Sequence, residues 1–170
     1  MTTNPSHLSV RCQRITAAQT VPLRHSVLWP DAPMSHVILS EDAEGWHYGA
    51  FIDRGSNSDD SYPIAVISLF AEPCPAIDND VNAHDSPEKD GQKAIRFRKF
   101  ACDPAYQGRG IGTSLLQHVL SITRTELNGT LLWCDAREAT KAWYERRGLV
   151  SFGEGFHKGP VKYIRMRIEL

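Results

Sequence analysis

Between Phe100 and Leu116 the chain reads Phe-Ala-Cys-Asp-Pro-Ala-Tyr-Gln-Gly-Arg-Gly-Ile-Gly-Thr-Ser-Leu-Leu, with glycines at 108, 110 and 112. An apolar, strand-like run (Ala94 to Cys102) is stopped by Asp103-Pro104, and an amphipathic helix follows the glycines. Residues without a Cβ let backbone N–H groups approach a ligand, and a helix N-terminus favours negative charge there. The chemistry this suits is the cradling of a pyrophosphate. A nucleoside-triphosphate loop would need a lysine after its last glycine, but Gly112 is followed directly by Thr113-Ser114. The dinucleotide fingerprint fits Gly108 and Gly110 but needs its third glycine where Thr113 stands.

What does fit is Gln-x-x-Gly-x-Gly, from Gln107 to Gly112. This pattern resembles the coenzyme A pyrophosphate loop of the GCN5-related N-acetyltransferases (GNAT superfamily). A second stretch supports the resemblance. Leu131 to Arg137 reads as a buried strand, and Glu138-Ala-Thr-Lys-Ala-Trp-Tyr-Glu-Arg-Arg-Gly-Leu149 looks like the last helix of that superfamily. The usual form there has Phe-Tyr and Gly-Phe, so Trp143 and Leu149 are mild departures. The likeness covers Ile95 to Leu170 well and the N-terminal half loosely.

The resemblance implies acetyl-CoA as co-substrate, with pyrophosphate on the amides of Gln107, Gly108, Arg109, Gly110, Ile111, Gly112 and Thr113. Arg109 would add charge near the phosphates or stand as a solvated surface side chain. Phe100, Ala101 and Cys102 match residues that pair with the pantetheine arm where the fourth and fifth strands splay apart, and exposed N–H groups there could polarise a thioester carbonyl. Acyl transfer to an amine passes through a tetrahedral intermediate and expels a thiolate, so a hydroxyl donor near the sulfur helps. Tyr144 matches the usual general acid and touches the cofactor, its alternative being a core tyrosine beside Trp143. Glu72 and Asp135 are the carboxylates nearest by topology to serve as general base; Asp135 stands where the family often has Asn. An acyl-cysteine on Cys102 or Cys134 is the covalent alternative, although buried cysteines usually pack.

Composition narrows the classes. At 170 residues the chain has the size of a single domain, 1–170, with 41% hydrophobic and 23% charged residues. A net charge of −1 gives no overall attraction to nucleic acid or anionic membrane. The N-terminus shows no signal-peptide pattern and no apolar run reaches membrane-spanning length, so a cytoplasmic protein is expected. Four scattered cysteines without a C-x-x-C pair, and histidines without an i, i+4 pair, argue against a metal site or a disulfide framework.

Along the chain, Ser9 to Ile15 reads as an edge strand, and Thr16 caps a helix running to about Leu28, interrupted by Pro22. Trp46 to Ile52 and Pro63 to Phe70 read as antiparallel strands joined by the polar loop Arg54 to Ser61. The acidic, proline-containing segment Glu72 to Gln92 reads as a mobile loop inserted between the third and fourth strands, positioned either as a solvated loop or as a cover attracting a cationic amine. Ile111, Leu115, Val119 and Ile122 form one face of a helix ended by Asn128-Gly129, and Tyr163 to Leu170 alternates as a terminal strand. The fold class expected is α/β, GNAT-like: a mixed, mostly antiparallel sheet with parallel, splayed strands four and five and helices on both faces.

The function expected is an acetyl-CoA-dependent N-acetyltransferase acting on a small-molecule amine or a peptide amine, with no metal; nothing in these features opposes a homodimer. Arg24 to Met34 and Phe156 to Tyr163 would border the acceptor, with Trp29, Phe156, His157 and Tyr163 as aromatic candidates. A non-catalytic acyl-CoA-binding or sensing module is the competing class, and a nucleotide-binding protein is a weaker one.

Overall fold

The computed structural model describes residues 9–52, 62–75 and 92–170. The expected loop at Arg54–Ser61 and most of the acidic Glu72–Gln92 segment lie outside the described residues. The strands are β1 (Val10–Ile15), β2 (Trp46–Ile52), β3 (Ala65–Ala71), β4 (Ala94–Cys102), β5 (Leu131–Arg137), β6 (Val150–Lys158) and β7 (Val161–Glu169). The helices are α1 (Ala17–Leu23), α2 (Ile111–Thr125) and α3 (Lys141–Glu145). The strands pair in the order β1-β2-β3-β4-β5-β7-β6, with β4 and β5 parallel and the remaining neighbours antiparallel. Two compact units divide the chain, Met1–Ser68 with Lys99–Val119 and Leu69–Arg98 with Leu120–Leu170, so the division falls inside β3, β4 and α2.

In the first unit, Thr16 caps α1 by accepting from the Gln19 N–H at 3.3 Å, while Gln19 Oε1 accepts from the Thr16 N–H at 2.9 Å. This reciprocal capping satisfies two donors that a helix start leaves over. The expected helix to Leu28 is α-helical only to Leu23 and continues as a wider π-type turn over Arg24–Leu28. Pro22, which supplies no N–H and crowds the preceding turn, sits just before the widening. Leu23, Val27 and Leu28 pack on Ile15, Phe51, Val66 and Ala101.

The widened turn delivers Arg24 into the interior, where it is 0% exposed. Its guanidinium donates to Asp42 Oδ2 at 2.7 Å, Asp42 Oδ1 at 2.9 Å, Ser68 Oγ at 2.7 Å and the Val37 carbonyl at 3.1 Å. His47 Nε2 donates to the Asp42 carbonyl at 2.8 Å, which leaves Nδ1 to accept from the Ser68 hydroxyl at 2.8 Å. That tautomer is neutral. Burial would raise the Asp42 carboxyl, but hydrogen bonds from Arg24 and the Leu39 N–H, with the Arg24 charge, hold it below its usual value. Burial pushes the His47 imidazolium down, with the Arg24 charge acting the same way.

In the second unit, β5 pairs with β7 along its whole length, from Leu131↔Glu169 to Arg137↔Tyr163. The turn between α2 and β5 needs glycine at 129, because a Cβ there would meet Thr123 Cγ2 at 2.6 Å and Ile95 Cγ1 at 3.0 Å. Asn128, at φ 52, takes the left-handed conformation just before it. The last helix is shorter than the sequence suggests: one 3₁₀ turn over Glu138–Thr140 leads into the five residues of α3.

Two stability measurements test the buried Arg24 cluster. Arg24→Met leaves Asp42 buried without its counter-charge and should cost about 3–5 kcal/mol in urea unfolding, with part recovered in the Arg24→Met, Asp42→Leu double variant. Unfolded His47 takes up a proton near pH ~6.5 while the folded side chain resists it, so the unfolded state binds more protons just below that pH. Stability should therefore fall as pH drops below ~6.5, and His47→Gln should flatten that part of the curve.

Candidate active site

The glycine loop lies in the first unit. Asp103 ends β4, its side chain accepting from the Ala105 N–H at 2.9 Å and its own N–H donating to the Ile64 carbonyl at 2.8 Å. Gln107 folds back so that Nε2 donates to the Cys102 carbonyl at 3.0 Å, tying loop to strand. Gly108 and Gly110 adopt φ 74 and φ 81, the left-handed region, and nothing lies within 4 Å of a Cβ built on either. Gly110 then opens α2: its carbonyl accepts from the Ser114 N–H at 2.9 Å and the Ser114 hydroxyl at 3.1 Å. Ile111 is buried beneath the first turn, while Gly112 and Thr113 are half-buried on it. Arg109 is exposed, its guanidinium 5.7 Å from the centre of the Tyr106 ring. Two left-handed glycines in open space thus lead directly into the start of a 15-residue helix.

Phe100, Ala101 and Cys102 close β4 just before this loop. Lys99 has φ 53, a left-handed residue inside a strand. Two residues on, Ala101 enters the core with Ile15, Phe51 and Val66. Nothing in residue type at position 99 signals its left-handed conformation.

The second unit holds the other candidates. β4 and β5 pair only at Ala94↔Leu131, Ile95↔Leu132 and Arg96↔Trp133. Past that point no β4 partner is recorded for Cys134 to Arg137, although β7 pairs with each of them. The strands part where the sequence reading expected a splay.

Tyr144 is 8% exposed, 5.8 Å from the Phe97 ring and 5.0 Å edge-on from Trp143. Burial, then the neighbouring Cys134, pushes its phenol well above the usual value, so it keeps its proton at neutral pH. Its backbone is anchored by the helix ending: Gly148, at φ 90, donates to the Glu145 carbonyl at 3.0 Å and Leu149 to the Tyr144 carbonyl at 3.2 Å. Those two bonds form a Schellman ending, which explains the Gly-Leu that closes the motif.

Glu72 and Asp135 stand on the opposite face. Arg96 bridges them, NH1 donating to Glu72 Oε1 at 2.7 Å and NH2 to Asp135 Oδ2 at 2.6 Å. Lys158 Nζ also reaches Asp135 Oδ2, at 2.8 Å, and Arg165 Nε lies 3.6 Å from Oδ1. Asp135 is 11% exposed and Glu72 37%. The Arg96 guanidinium lies 4.6 Å over Trp133, whose indole N–H donates to the Glu72 carbonyl at 3.0 Å. Arg96, Lys158 and Arg165 were not singled out from the sequence. The signal lay in the charged half of the strand alternation, read only for its apolar half.

Cys134 is 2% exposed, and burial, with the Asp135 charge beside it, pushes its thiol far up. Cys102 is half-buried and raised by burial and by Asp103. Neither environment favours a thiolate nucleophile. Among the described residues no cluster of His, Cys, Asp and Glu could hold a metal, and no helix is long and apolar enough to cross a membrane.

Residues 77–149 match the model of the Acetyltransferase (GNAT) domain. The fold and the matched domain are those of the GNAT acetyltransferases. The chain is 26% identical over 144 residues to an uncharacterized N-acetyltransferase, YitI, of Bacillus subtilis (strain 168), covering 84% of this chain and 83% of that one. Among solved structures, the IAA acetyltransferase from Bacillus cereus superposes with TM-score 0.64 at 21% identity, over 95% of this chain and 100% of that one. A chain of the NatC complex bound to Gag peptide and CoA gives TM-score 0.68 at 12% identity, over 96% and 99%. At these identities the structural likenesses speak for the GNAT fold alone.

Thiol labelling tests the environment of the two cysteines. Iodoacetamide at pH 8 should leave Cys134 unmodified in the folded protein and alkylate it only after denaturation, as read by peptide mass spectrometry. Rapid labelling of native Cys134 would show an accessible thiolate and reopen the acyl-cysteine route.

Proposed function

We infer that this protein is an acetyl-CoA-dependent N-acetyltransferase that moves the acetyl group directly to a primary amine. The observation that carries the reading is the glycine loop, with Gly108 and Gly110 left-handed and open in front of α2. Acetyl-CoA supplies the acyl group already activated as a thioester. Gln107 to Thr113 hold the pyrophosphate through backbone donors, and Phe100 to Cys102, which lead into that loop, offer strand-like hydrogen bonds to the amides of the arm. Tyr144, kept protonated by burial, donates to the departing sulfur. Glu72, the more open carboxylate, takes the amine proton directly or through water, and Asp135 holds Arg96 and Lys158 in place.

Tyr144 and the two carboxylates face opposite sides of the second unit's sheet. An amine arriving on the Glu72 side and a thiolate leaving on the Tyr144 side would use the two faces of one opening. The specific observation favouring a non-catalytic acyl-CoA-binding module is that Arg96 already engages both carboxylates. Release of free thiol from acetyl-CoA in the presence of a panel of amines separates the two readings; thiol release with none of them supports the binding module.

Calorimetry should show coenzyme A binding in preference to ATP and NAD. Gly110→Ala should weaken it through backbone strain at φ 81, whereas Gly112→Ala acts only through the space its methyl takes. A preference for ATP or NAD overturns the loop assignment. Tyr144→Phe should lower kcat by roughly 10²–10⁴-fold with little change in KM for acetyl-CoA. Unchanged kinetics would make Tyr144 a packing residue.

A further inference from the structure

Strand pairing brings an excess of positive charge to one face of the second unit. Arg96, Trp133 and Arg167 stand opposite one another across β4, β5 and β7, and Asp135, Arg165 and Phe152 do so across β5, β7 and β6. Directly paired residues project to the same face of a sheet. A register shift between Phe152 and Phe156, with Gly153 at φ 66, then brings Phe156 opposite Tyr163 and Lys158 opposite Val161. Phe156 and Tyr163 stack at 5.9 Å, and the Lys158 ammonium lies 4.8 Å over Tyr163 and reaches Asp135. The Arg165 guanidinium lies 5.0 Å over Phe156, and that of Arg167 lies 5.0 Å over Phe152.

Among the described residues, Arg96, Lys158, Arg165 and Arg167 gather on this face around the carboxylates of Glu72 and Asp135, with Arg137 and Glu169 on the same face at the two ends of the β5–β7 ladder. Arg96 engages both Glu72 and Asp135. Lys158 and Arg165 share Asp135 while keeping 47% and 35% of their side-chain surface exposed. Arg165 Nε and Asp135 Oδ1, 3.6 Å apart, are both buried without a hydrogen bond among the described residues. Helix α3 packs through Tyr144 against Phe97 on the other face. The cluster also flanks the point where β4 and β5 part, since Arg96↔Trp133 is their last pair and Asp135 lies two residues beyond.

We propose that Arg165 and Lys158, beside the Phe156–Tyr163 stack, bind an anionic group on the acceptor, so that the preferred acceptor is an amine that also carries a carboxylate or a phosphate. The proposal rests on the transferase reading and names its substrate class. A guanidinium and an ammonium supply charge-assisted hydrogen bonds to the anion. The stacked rings give its apolar part a surface, and Glu72 on the same face is left for the amine. The negatively charged group then fixes which end of the acceptor points toward the opening.

The test is calorimetric binding of two matched pairs to the full-length protein, with and without coenzyme A: phenylalanine against phenethylamine, and O-phosphoethanolamine against ethanolamine. The anion-bearing member of at least one pair should bind about tenfold to a hundredfold more tightly, and which pair shows it names the anion. Arg165→Gln and Lys158→Gln, both at partly exposed side chains, should each erase most of that preference without weakening binding of the member that lacks the anion. Equal or weaker binding of the anion-bearing member in both pairs, or a preference that survives both substitutions, overturns the proposal. Thiol-release assays on the same four amines separate it from the transferase reading. A binding preference without turnover of any amine removes the transferase and keeps the anion site; turnover of the amines lacking the anion, without preference, does the reverse.

Discussion

β5 is held on one edge and open on the other. Every residue from Leu131 to Arg137 has a β7 partner, yet only the first three are paired with β4. An open row of backbone donors and acceptors inside a sheet is normally filled, since unpaired buried peptide groups are costly. Here the strand does not collapse sideways, because the β7 ladder and the buried side chains of Leu132, Trp133 and Cys134 fix it. The β5 edge left open beyond Trp133 is therefore held in place by packing within its own unit.

Arg96 is the side chain that organises one side of that opening. It belongs to the last β4–β5 pair, stacks on Trp133, and holds Glu72 and Asp135 with short bonds from separate nitrogens. A planar guanidinium can do this where an ammonium could not, because its donors diverge at fixed angles. The other side belongs to Tyr144, whose burial among Phe97, Trp143 and Cys134 stabilises its neutral form. The two carboxylates and the phenol are thus given opposite environments by the two faces of one sheet. Partly exposed cations surround the carboxylates, and buried aromatic rings surround the phenol.

The glycine loop was legible because its constraint is local: positive φ at Gly108 and Gly110 is written in residue type. The same holds for β2 and β5, whose bounds coincide with the apolar runs, and for the Gly148-Leu149 ending that positions Tyr144. The helix expected to run to Leu28 changes character at Arg24, two residues after Pro22, and Arg24 enters a buried ion pair with Asp42, 18 residues away. Local propensity cannot see such a partner. The carboxylates posed the same difficulty. Glu72 and Asp135 were chosen by topology, but what decides their chemistry is Arg96, 24 and 39 residues distant respectively.

Charge shows most clearly what a linear reading loses. The acidic run from Asp78 to Asp90 dominates the chain when charges are counted in order, and it suggested a cationic acceptor. Folding sorts charge by another rule, because strand pairing gathers alternate residues from distant segments onto one face. Arg165 and Arg167 are separated by Met166, which is fully buried on the other side, and each finds its neighbours on β5 and β6. A net charge of −1 for the chain is compatible with a face on which Arg96, Lys158, Arg165 and Arg167 gather around Glu72 and Asp135. Within about one Debye length, ~8–10 Å, it is that local excess which a bound group feels. The electrostatic character of this face is set across the strands and not along the chain.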